Sequence, residues 1–409
     1  MTRKALIIVE NLPVPADFRV WNEARSLQNA NYEVIVLCPR RKDHPKKYEY
    51  LDNVHIYRHP IVQEGDSSLG HLWEYGCALF WEFLYSWMIF FRHRFQVIQG
   101  CNPPDNIFLV ALPFKLFGVK YIFDHHDVCP ELYLSKYSRK NTFYKVQLWL
   151  ERMTFRFCDV AMVTNNTYRE NAVARGGMDS KDVFVVRNGP DPAVLKALPP
   201  SQARKFGKRF LVGYVGNMSS QEGLDILLEA ALEIKKRGRD DVHFTCIGGG
   251  PGLAGLRQLC KENNLEEMVN FTGRIPFSDL LEILSTADVC VNPDRPCEMN
   301  SMSTMIKIME YMALAKPIVQ FEGIEGRFSA QGSSLYSNGD GNIAGDFAEK
   351  IIWLLDRPEE RARMGELGRK RVEEQLAWEH SVPHLLGAYE RVFGKMRGKR
   401  VPETEIAPS

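Results

Sequence analysis

The sequence predicts an α/β protein built from two doubly wound, Rossmann-like domains. Short β-branched runs alternate with helical patterns along the chain, which is typical of parallel sheets covered by helices. The alternation stops over residues 191–207, where prolines and charges replace strand-like residues, and resumes afterwards. A linker is therefore expected near residue 200. We place the first domain at residues 1–195 and the second at residues 208–375.

Each strand and helix of the two series has its own signal. In the first series, helices are expected near residues 17–29, 71–92 and 143–157. The strands that alternate with them are expected at A-L-I-I-V, E-V-I-V-L, Q-V-I-Q, K-Y-I-F-D and D-V-A-M-V-T. The second series is expected to contain F-L-V-G-Y-V-G, V-H-F-T-C-I, M-V-N-F-T-G, D-V-C-V-N-P and K-P-I-V-Q-F. The tail from Val401 is expected to be disordered.

Composition limits the functional classes. The 409 residues include 52 Lys and Arg against 51 Asp and Glu, so there is no overall attraction to nucleic acid or an anionic membrane. Nine cysteines are scattered without a C-x-x-C pair, which indicates buried thiols in a reducing compartment. About six apolar residues precede Glu10, too few for a signal peptide. A cytoplasmic protein is expected.

Two glycine-containing loops of the second domain could bind a ligand, because open parallel sheets bind ligands at the carboxyl ends of their strands. Gly216 and Asn217 would let a phosphate or sugar approach the backbone. Residues 250–255, G-P-G-L-A-G, match G-x-G-x-x-G. They follow the second strand of the domain, and no acidic strand end lies about twenty residues further on, which disfavours a nicotinamide site. A tight turn, or a nucleotide approaching Gly249 and Gly250, remains possible.

Residues 124–127, D-H-H-D, end the strand K-Y-I-F. Neighbouring side chains of an extended segment point to opposite faces, so at most two of the four could share a metal ion. No further His or Cys cluster in the sequence completes a site, and no metal is expected. Two interpretations stay open. One imidazole could bind a polar substrate, with Asp127 orienting it or the loop, or the histidine could be a satisfied strand-end residue.

Residues 303–319 read S-T-M-I-K-I-M-E-Y-M-A-L-A-K-P-I-V. Ser303 or Thr304 is predicted to be the N-cap of a helix that is apolar nearly all round and therefore buried. Lys307 and Glu310 lie three residues apart on neighbouring parts of one face. They could form a buried ion pair, which is seldom favourable after desolvation. Alternatively, the carboxylate could bind ribose hydroxyls and the ammonium a diphosphate.

Taken in order, these stretches resemble the family-4 glycosyltransferases of the GT-B fold, especially the branch found in bacterial exopolysaccharide and surface-glycan assembly. The similarity extends over nearly the whole chain. The matching stretches are V-E-N-L-P-V-P-A-D-F-R-V-W-N-E-A, C-N-P-P-D-N, F-D-H-H-D-V-C-P-E-L-Y, V-V-R-N-G-P-D, F-T-G-R-I-P, S-T-A-D-V-C-V-N-P and T-M-I-K-I-M-E-Y-M-A-L-A-K-P-I-V. The resemblance implies two Rossmann-like domains facing across a cleft, with the acceptor in the first and the nucleotide sugar in the second. Residues 376–400 would form a helix that packs back on the first domain.

The resemblance also implies hexosyl transfer with retention, without a metal, from a UDP- or GDP-sugar co-substrate. Glu310 matches the glutamate that binds the donor ribose, Lys307 falls near the diphosphate, and His126 matches the histidine that contacts the transferring sugar. The catalytic candidates are therefore His126 and Asp127. The donor-binding candidates are Gly216, Asn217, Gly249, Gly250, Arg274, Ser303, Thr304, Lys307 and Glu310. The acceptor-side candidates are Asn11, Arg19 and Glu131.

Three positions depart from the family pattern. Asn217 and Glu222 stand where relatives commonly place an Arg and a Lys that grip the diphosphate, and Met302 replaces a glutamate. Fewer cations would stabilise the leaving group less well, unless Lys307, Arg274, Arg295 and the helix N-terminus compensate. A catalytically silent homologue acting as a partner subunit would fit these departures. A GT-B sugar-nucleotide epimerase shares the two-domain fold and is a second alternative, which would need acid/base carboxylates at the sugar. An oxidoreductase is the least favoured alternative.

Residues 72–91 form an apolar, aromatic stretch that is followed by Arg92-His93-Arg94. Glu74 and Glu82 would be costly inside a bilayer, and they share a narrow stripe with Ser86, which favours a mostly buried helix. Alternatively, its aromatic end could touch a membrane that carries a polyprenyl-diphosphate-linked acceptor. The basic residues Arg40, Arg41, Lys42, Lys46 and Lys47 could extend that surface or form a solvated loop.

Overall fold

The computed structural model describes residues 2–61, 68–338 and 341–396. The chain divides into two compact units. The first unit runs up to Arg187 and includes the C-terminal segment from Ser381, and the second unit is Asn188–His380. The prediction of a disordered tail from Val401 falls outside the described residues.

The first unit is built on an eight-stranded sheet. Its strands are β1 (Arg3–Val9), β2 (Tyr32–Pro39), β3 (Tyr48–Leu51), β4 (Val54–His59), β5 (Val97–Cys101), β6 (Lys120–His125), β7 (Val160–Val163) and β8 (Val183–Val185). They lie in the order β3-β4-β2-β1-β5-β6-β7-β8, and every pair is parallel except β3 with β4. The helices are α1 (Phe18–Asn29), α2 (Ser68–His93), α3 (Phe108–Lys115), α4 (Cys129–Tyr137), α5 (Thr142–Phe157) and α6 (Asn166–Ala174).

The second unit has a six-stranded sheet whose pairs are all parallel. Its strands are β9 (Phe210–Val215), β10 (Val242–Ile247), β11 (Val269–Gly273), β12 (Val289–Asn292), β13 (Ile318–Phe321) and β14 (Ser334–Ser337), in the order β11-β10-β9-β12-β13-β14. The helices are α7 (Leu224–Lys236), α8 (Leu253–Glu262), α9 (Phe277–Thr286), α10 (Glu298–Met302), α11 (Ile306–Ala313), α12 (Ile324–Ala330), α13 (Ile343–Leu355) and α14 (Pro358–Arg371). The last helix of the chain is α15 (Trp378–Met396).

These elements confirm the predicted doubly wound α/β class. The expected strand runs all form strands, because their near-continuous apolar residues are buried on both faces of a parallel sheet. Missing from the prediction is the hairpin of β3 and β4, whose first strand is partly exposed. Of the nine cysteines, which were predicted to be buried thiols, six are buried and Cys77, Cys158 and Cys297 are partly exposed.

The expected linker and the C-terminal helix each pack within one unit. Residues 191–207 belong to the second unit, where the backbone N–H groups of Leu198 and Ser201 donate to Ser285 Oγ and Thr286 Oγ1. The part of α15 from Ser381 belongs to the first unit. There the Tyr389 hydroxyl donates to Gln99 Oε1 at 2.7 Å.

Helix α2 reverses the usual pattern of a surface helix, because it buries polar side chains and exposes apolar ones. Glu82 and Ser86 are buried, whereas large apolar side chains elsewhere on the helix are exposed. The Glu74 side chain lies outside the described residues. None of the helices in the described part of the chain combines the length and the apolar character needed to cross a membrane.

Candidate functional site

The loops at the carboxyl edge of the second sheet pack backbone against backbone. Strand β9 lies between β10 and β12, so the strand order reverses direction there, as at the ligand-binding edge of doubly wound sheets. Gly248 has φ of +126°, and a Cβ on it would meet the Gly216 carbonyl oxygen at 2.0 Å. A Cβ on Gly250 would meet the Met218 backbone nitrogen at 2.7 Å. Tight loop packing therefore accounts for Gly248 and Gly250, and also for Gly252, whose Cβ would meet the Met218 carbonyl oxygen at 2.8 Å. It does not account for Gly255, because a Cβ there would have no described atom within 4 Å.

Lys307, at the second position of α11, contacts two carboxylates. Its Nζ forms ion pairs with Glu222 and, at 2.8 Å, with Asp294 Oδ1. The Tyr214 hydroxyl also donates to Glu222 Oε2, at 2.7 Å. The ammonium lies 5.0 Å from the centre of the Tyr214 ring. One cation is thus shared by two acids, and we call Lys307, Glu222 and Asp294 the lysine cluster.

The surroundings shift the pKa values within the lysine cluster. Burial raises the pKa of Asp294 to about 6, with Glu222 adding to the effect and Lys307 opposing it. Burial would lower the pKa of Lys307, but the charges of Asp294 and Glu222 outweigh it and raise that pKa. The Asp294 Oδ2 atom is buried and has no hydrogen-bond partner among the described residues. The cluster therefore carries one excess negative charge at high pH and can take up a proton in mild acid.

Glu310 is not the partner of Lys307. No hydrogen bond or ion pair to its carboxylate occurs in the described part of the chain, and the side chain is only partly buried. Burial raises its pKa, while the nearby Lys307 charge acts in the opposite direction. The alternative of a buried Lys307–Glu310 ion pair is therefore wrong. Glu310 instead presents a carboxylate whose acceptor positions are unused.

The predicted N-cap of the helix is also wrong. Helix α11 begins at Ile306 with Met305 as its N-cap residue, and no side chain caps it. Ser303 ends the preceding helix α10, and its hydroxyl donates to the Met299 carbonyl oxygen at 2.7 Å. Thr304 Oγ1 donates to Glu325 Oε2 at 3.3 Å. The break between the two short helices therefore falls at Ser303 and Thr304, just before the apolar residues of α11.

The other expected cations have different surroundings. Arg295 forms an ion pair with Asp225 and donates through Nε to the Ser220 carbonyl oxygen at 3.0 Å. Arg274 is exposed, lies within 3.6 Å of the Cβ position of Gly249, and has no ion pair among the described residues. Asn217 is exposed in the neighbouring loop. Of the two arginines, Arg274 is the one whose charge is available at this sheet edge.

In the first unit, His126 is held by Asp124. His126 Nε2 donates to Asp124 Oδ2 at 2.6 Å, and the imidazole is 15% exposed. Asp124 therefore orients the ring, whereas the prediction gave Asp127 the role of orienting the imidazole or the loop. The Asp127 backbone belongs to the loop contacts instead, because its N–H donates to Asn102 Oδ1 at 3.2 Å. His126 Nδ1 has no hydrogen-bond partner in the described part of the chain.

Arg19 is buried and bound to the same aspartate. Its Nη2 lies 2.6 Å from Asp124 Oδ1 and 3.2 Å from Glu23 Oε1, and Nη1 donates to the Val186 carbonyl oxygen at 2.8 Å. Burial opposes ionisation of Asp124, but the Arg19 and His126 charges hold its pKa well below its usual range. Burial and the Asp124 charge raise the pKa of Glu23. We call Arg19, Glu23 and Asp124 the arginine cluster.

Three further residues of the first unit differ in their burial and in their partners. Glu131 is buried and forms an ion pair with Arg175. Asn11 is exposed, and its carbonyl oxygen accepts from Arg41 Nη2 at 2.9 Å. His125 is fully buried among aromatic rings, and burial lowers its pKa to about 3. Of the two histidines, His126 is the one that a ligand can reach.

Sequence reasoning missed two acids that determine this electrostatic pattern. Asp294 follows β12 at the edge where ligands bind, so its position after V-C-V-N was a usable signal. Asp124 and His126 are two residues apart, and side chains at that spacing share a face of an extended segment. That alternation could have identified Asp124 as the histidine partner.

Known proteins match this chain in both sequence and structure. The family model "Glycosyltransferase Family 4" matches residues 18–194, and "Glycosyl transferases group 1" matches residues 209–357. The alpha-D-kanosaminyltransferase of Streptomyces kanamyceticus is 27% identical over 364 residues, which cover 82% of this chain and 88% of that protein.

Three solved structures are similar over nearly their whole length. Sucrose-phosphate synthase from Thermosynechococcus elongatus has a TM-score of 0.77 at 17% identity, covering 96% of this chain and 100% of that chain. Anabaena HepE in complex with UDP and glucose has a TM-score of 0.70 at 16% identity, covering 95% and 99%. WaaG, a glycosyltransferase involved in lipopolysaccharide biosynthesis, has a TM-score of 0.68 at 14% identity, covering 93% and 98%.

Two doubly wound parallel units, with polar residues gathered at the carboxyl edge of each sheet, define a protein of the GT-B class. The two family models extend this assignment along most of the chain. The chain belongs to the family-4 glycosyltransferases.

Proposed function

We propose that this glycosyltransferase moves a hexose from a UDP- or GDP-sugar to a glycan or lipid-linked acceptor, with retention and without a metal in the transfer step. The second unit would bind the donor and the first unit the acceptor. Surface-polysaccharide synthesis in the cytoplasm is the process that fits the resemblance and the similarity to WaaG. The complex of HepE with UDP and glucose supports a nucleotide-sugar donor.

The observation that carries the proposal is the pair of charges on α11. Glu310 has a partly buried carboxylate without a protein partner, which is what two vicinal ribose hydroxyls require. Lys307 lies one helical turn earlier, towards the N-terminus of α11, where the helix dipole favours a phosphate. The two groups therefore suit the ribose and diphosphate of one nucleotide.

The lysine cluster adds a condition to donor binding. Glu222 and Asp294 already form ion pairs with the Lys307 ammonium group. An incoming diphosphate must therefore share Lys307 with them or displace one of them. Protonation of Asp294 removes the excess negative charge and frees one contact of Lys307. Arg274 supplies an unpaired cation at the same sheet edge. Developing charge on the departing diphosphate would then be stabilised by Lys307, Arg274 and the α11 N-terminus.

His126 is the proposed contact to the transferring sugar. Its Nε2 is fixed by Asp124, which leaves Nδ1 and a partly exposed ring edge for a ligand. A ring held in one orientation loses little entropy on binding. Its proposed role is therefore positioning and hydrogen bonding, and Asp127 would help to shape the loop that carries it.

The test is isothermal titration calorimetry of the full chain with UDP, GDP, UDP-glucose and GDP-mannose. Glu310→Ala is expected to weaken binding of the preferred nucleotide by roughly 10- to 100-fold, because hydrogen bonds to a charged group contribute about 1.5–3 kcal/mol. Glu229→Ala, at an exposed position of α7, is the matched control and should bind normally. Equal binding by Glu310→Ala and the control would disprove the ribose assignment.

A catalytically silent partner subunit is the second candidate. The observation that favours it is that two carboxylates, Glu222 and Asp294, form ion pairs with Lys307. In addition, Asn217 and Met302 stand where the family pattern has charged residues. Absence of binding to every nucleotide in the panel would establish this alternative over the enzyme. Nucleotide binding followed by release of nucleoside diphosphate with a membrane lipid extract would exclude it.

A surface of the first unit that contacts the membrane is a further part of the proposal. Phe80, Leu84, Met88 and Phe91 of α2 are between 42% and 64% exposed and recur every three or four residues, so they form one apolar stripe. Leu116 and Phe117, just after α3, are also exposed, at 88% and 61%. Exposed Arg92 and Arg94 lie at the end of the stripe. Such a face suits peripheral contact with an anionic bilayer.

Sedimentation with phosphatidylglycerol vesicles tests this contact. Replacing Leu84 with Asp is expected to reduce the bound fraction at least severalfold, because a charge then enters the apolar stripe. Leu367→Asp, at a 44% exposed position of α14, is the control. Equal loss in both variants, or no binding by the unmodified chain, would remove the membrane from the proposal.

A further inference from the structure

The first unit contains a second group of titratable side chains, which shares no residue with the Asp124–His126 pair. Glu10 directly follows β1, His59 is the last residue of β4, and Glu82 lies within α2. Each offers one ligand atom, and these atoms all lie within 4.8 Å of one another. We call these residues the buried triad. It joins helix α2 to the carboxyl edge of the first sheet.

The tautomer of His59 follows from its hydrogen bond. Nδ1 lies 3.0 Å from the Pro60 carbonyl oxygen, which only accepts, so Nδ1 carries the proton. In the neutral ring Nε2 is then an acceptor, and it lies 3.1 Å from the Glu10 carboxylate oxygen Oε2. Two acceptors at this distance repel each other unless a proton or a cation lies between them.

The triad has no protein partners that would satisfy it. Glu10 Oε2, His59 Nε2 and Glu82 Oε1 are each buried and lack a hydrogen bond among the described residues. His59 is fully buried and Glu82 is 1% exposed. No Lys or Arg forms an ion pair with either glutamate in the described part of the chain. The Glu10 side chain is 13% exposed, and its Oε2 atom is buried. A buried Glu82 carboxylate beside it without a counter-charge is costly.

A neighbouring His–Glu cluster shows what a satisfied arrangement looks like. In the group Glu33, His55 and His93, the His93 Nδ1 atom lies 2.9 Å from Glu33 Oε1 and Nε2 lies 3.0 Å from the Tyr57 hydroxyl. Lys4 lies 2.6 Å from Glu33 Oε2 and supplies the counter-charge. That group is complete with protein partners, whereas the buried triad is not.

We propose that Glu10, His59 and Glu82 bind a divalent transition-metal ion of the zinc class. Imidazole nitrogen with carboxylate oxygens is a donor set that suits zinc better than magnesium or calcium. Zinc ligands at 2.0–2.2 Å in tetrahedral geometry are separated by about 3.4 Å, close to the 3.1 Å between His59 Nε2 and Glu10 Oε2. The Nδ1–H bond to a backbone carbonyl is the usual way in which a metal-binding imidazole is oriented.

Three protein ligands would leave the fourth position of a tetrahedral zinc ion to water. The role that the geometry supports is structural, because the ion would neutralise the two carboxylates and tie α2, which carries the exposed apolar stripe, to the sheet. The inference does not depend on the proposed donor or acceptor.

The test is the zinc content of the full chain expressed in zinc-supplemented medium, measured by elemental mass spectrometry. Zinc-dependent stability is read from Tm before and after chelation. About one equivalent of zinc and a lower Tm after chelation are expected. Glu82→Gln and, separately, Glu10→Gln preserve side-chain shape and should lower zinc affinity more than tenfold. His55→Gln, in the satisfied cluster, should retain zinc.

Each outcome decides the proposal. It is overturned if the unmodified chain neither contains zinc nor binds added ZnCl2. It is also overturned if both glutamine variants keep full zinc content, or if His55→Gln loses it. Should one glutamine variant fail to fold, as judged by circular dichroism, the other variant and the chelation experiment still distinguish these results.

Discussion

The arginine cluster of the first unit and the lysine cluster of the second unit have the same charges in different settings. Each places one cation between two carboxylates. Arg19 lies 2.6 Å from Asp124 and 3.2 Å from Glu23, and Lys307 contacts Asp294 at 2.8 Å as well as Glu222. Nevertheless the pKa of Asp124 lies well below its usual range, whereas burial raises that of Asp294 to about 6.

The difference follows from the number of contacts that each aspartate receives. Asp124 accepts hydrogen bonds from Arg19, His126 and Gln99, and a planar guanidinium fixes its geometry. Asp294 receives Lys307 on one oxygen only, and its other oxygen has no partner among the described residues. Burial is therefore compensated at Asp124 and only partly at Asp294. In the arginine cluster Asp124 is held ionised and Glu23 is the acid with the raised pKa. In the lysine cluster the raised pKa belongs to Asp294, which can therefore change its protonation and its contact with Lys307.

The largest expected effect is on stability in the first unit. Replacing Arg19 with Met leaves Glu23 and Asp124 buried without their cation, and breaking a buried pair in this way costs about 3–5 kcal/mol. The free energy of unfolding, measured with urea at pH 7, should fall by that amount. A loss below about 1 kcal/mol would show that Arg19 is not structural.

Lys307→Met should cost less stability, about 1–2 kcal/mol, because Asp294 can be protonated and the Glu222 side chain is 21% exposed. The same variant should lose most of its affinity for the nucleotide sugar. The comparison between the two clusters fails if Lys307→Met destabilises the chain as much as Arg19→Met. It fails equally if nucleotide binding is unaffected.

The contacts on which this comparison depends could not be predicted from the sequence. The strands and the division into two α/β units were predictable, because apolar runs are local signals, and the isolated charges of Lys307 and Glu310 drew attention to α11 for the same reason. The partners of Lys307 were not, since Glu222 is 85 residues away and Asp294 lies in another loop. The buried triad joins residues from β1, β4 and α2, and no spacing rule connects them. Loop packing in three dimensions creates both arrangements.

The effect of pH on stability should be smaller, and Asp294 should contribute part of it. Its folded pKa of about 6 is above the usual carboxyl range near 4, so the folded state binds the proton more tightly. Burial also raises the pKa of Asp105 and Glu151 to about 7. The unfolding free energy should therefore decrease as the pH rises from about 4, and the Asp294 part of the decrease should be complete near pH 6. Asp294→Asn should make this decrease smaller and be more stable than the unmodified chain at pH 8, by about 1 kcal/mol. Identical pH profiles would contradict the assignment.

The most direct test of the proposed role of Lys307 is the affinity for an intact nucleotide sugar at pH 5.5 and pH 8, measured by calorimetry with UDP-glucose and GDP-mannose. Their diphosphates do not titrate in this range, so a change in affinity reports on the protein. We predict up to about tenfold tighter binding at pH 5.5, where protonation of Asp294 frees one of the two carboxylate contacts of Lys307 for the diphosphate, and a much smaller difference in Asp294→Asn. Binding that is equally strong at both pH values, or tighter at pH 8, would contradict the account.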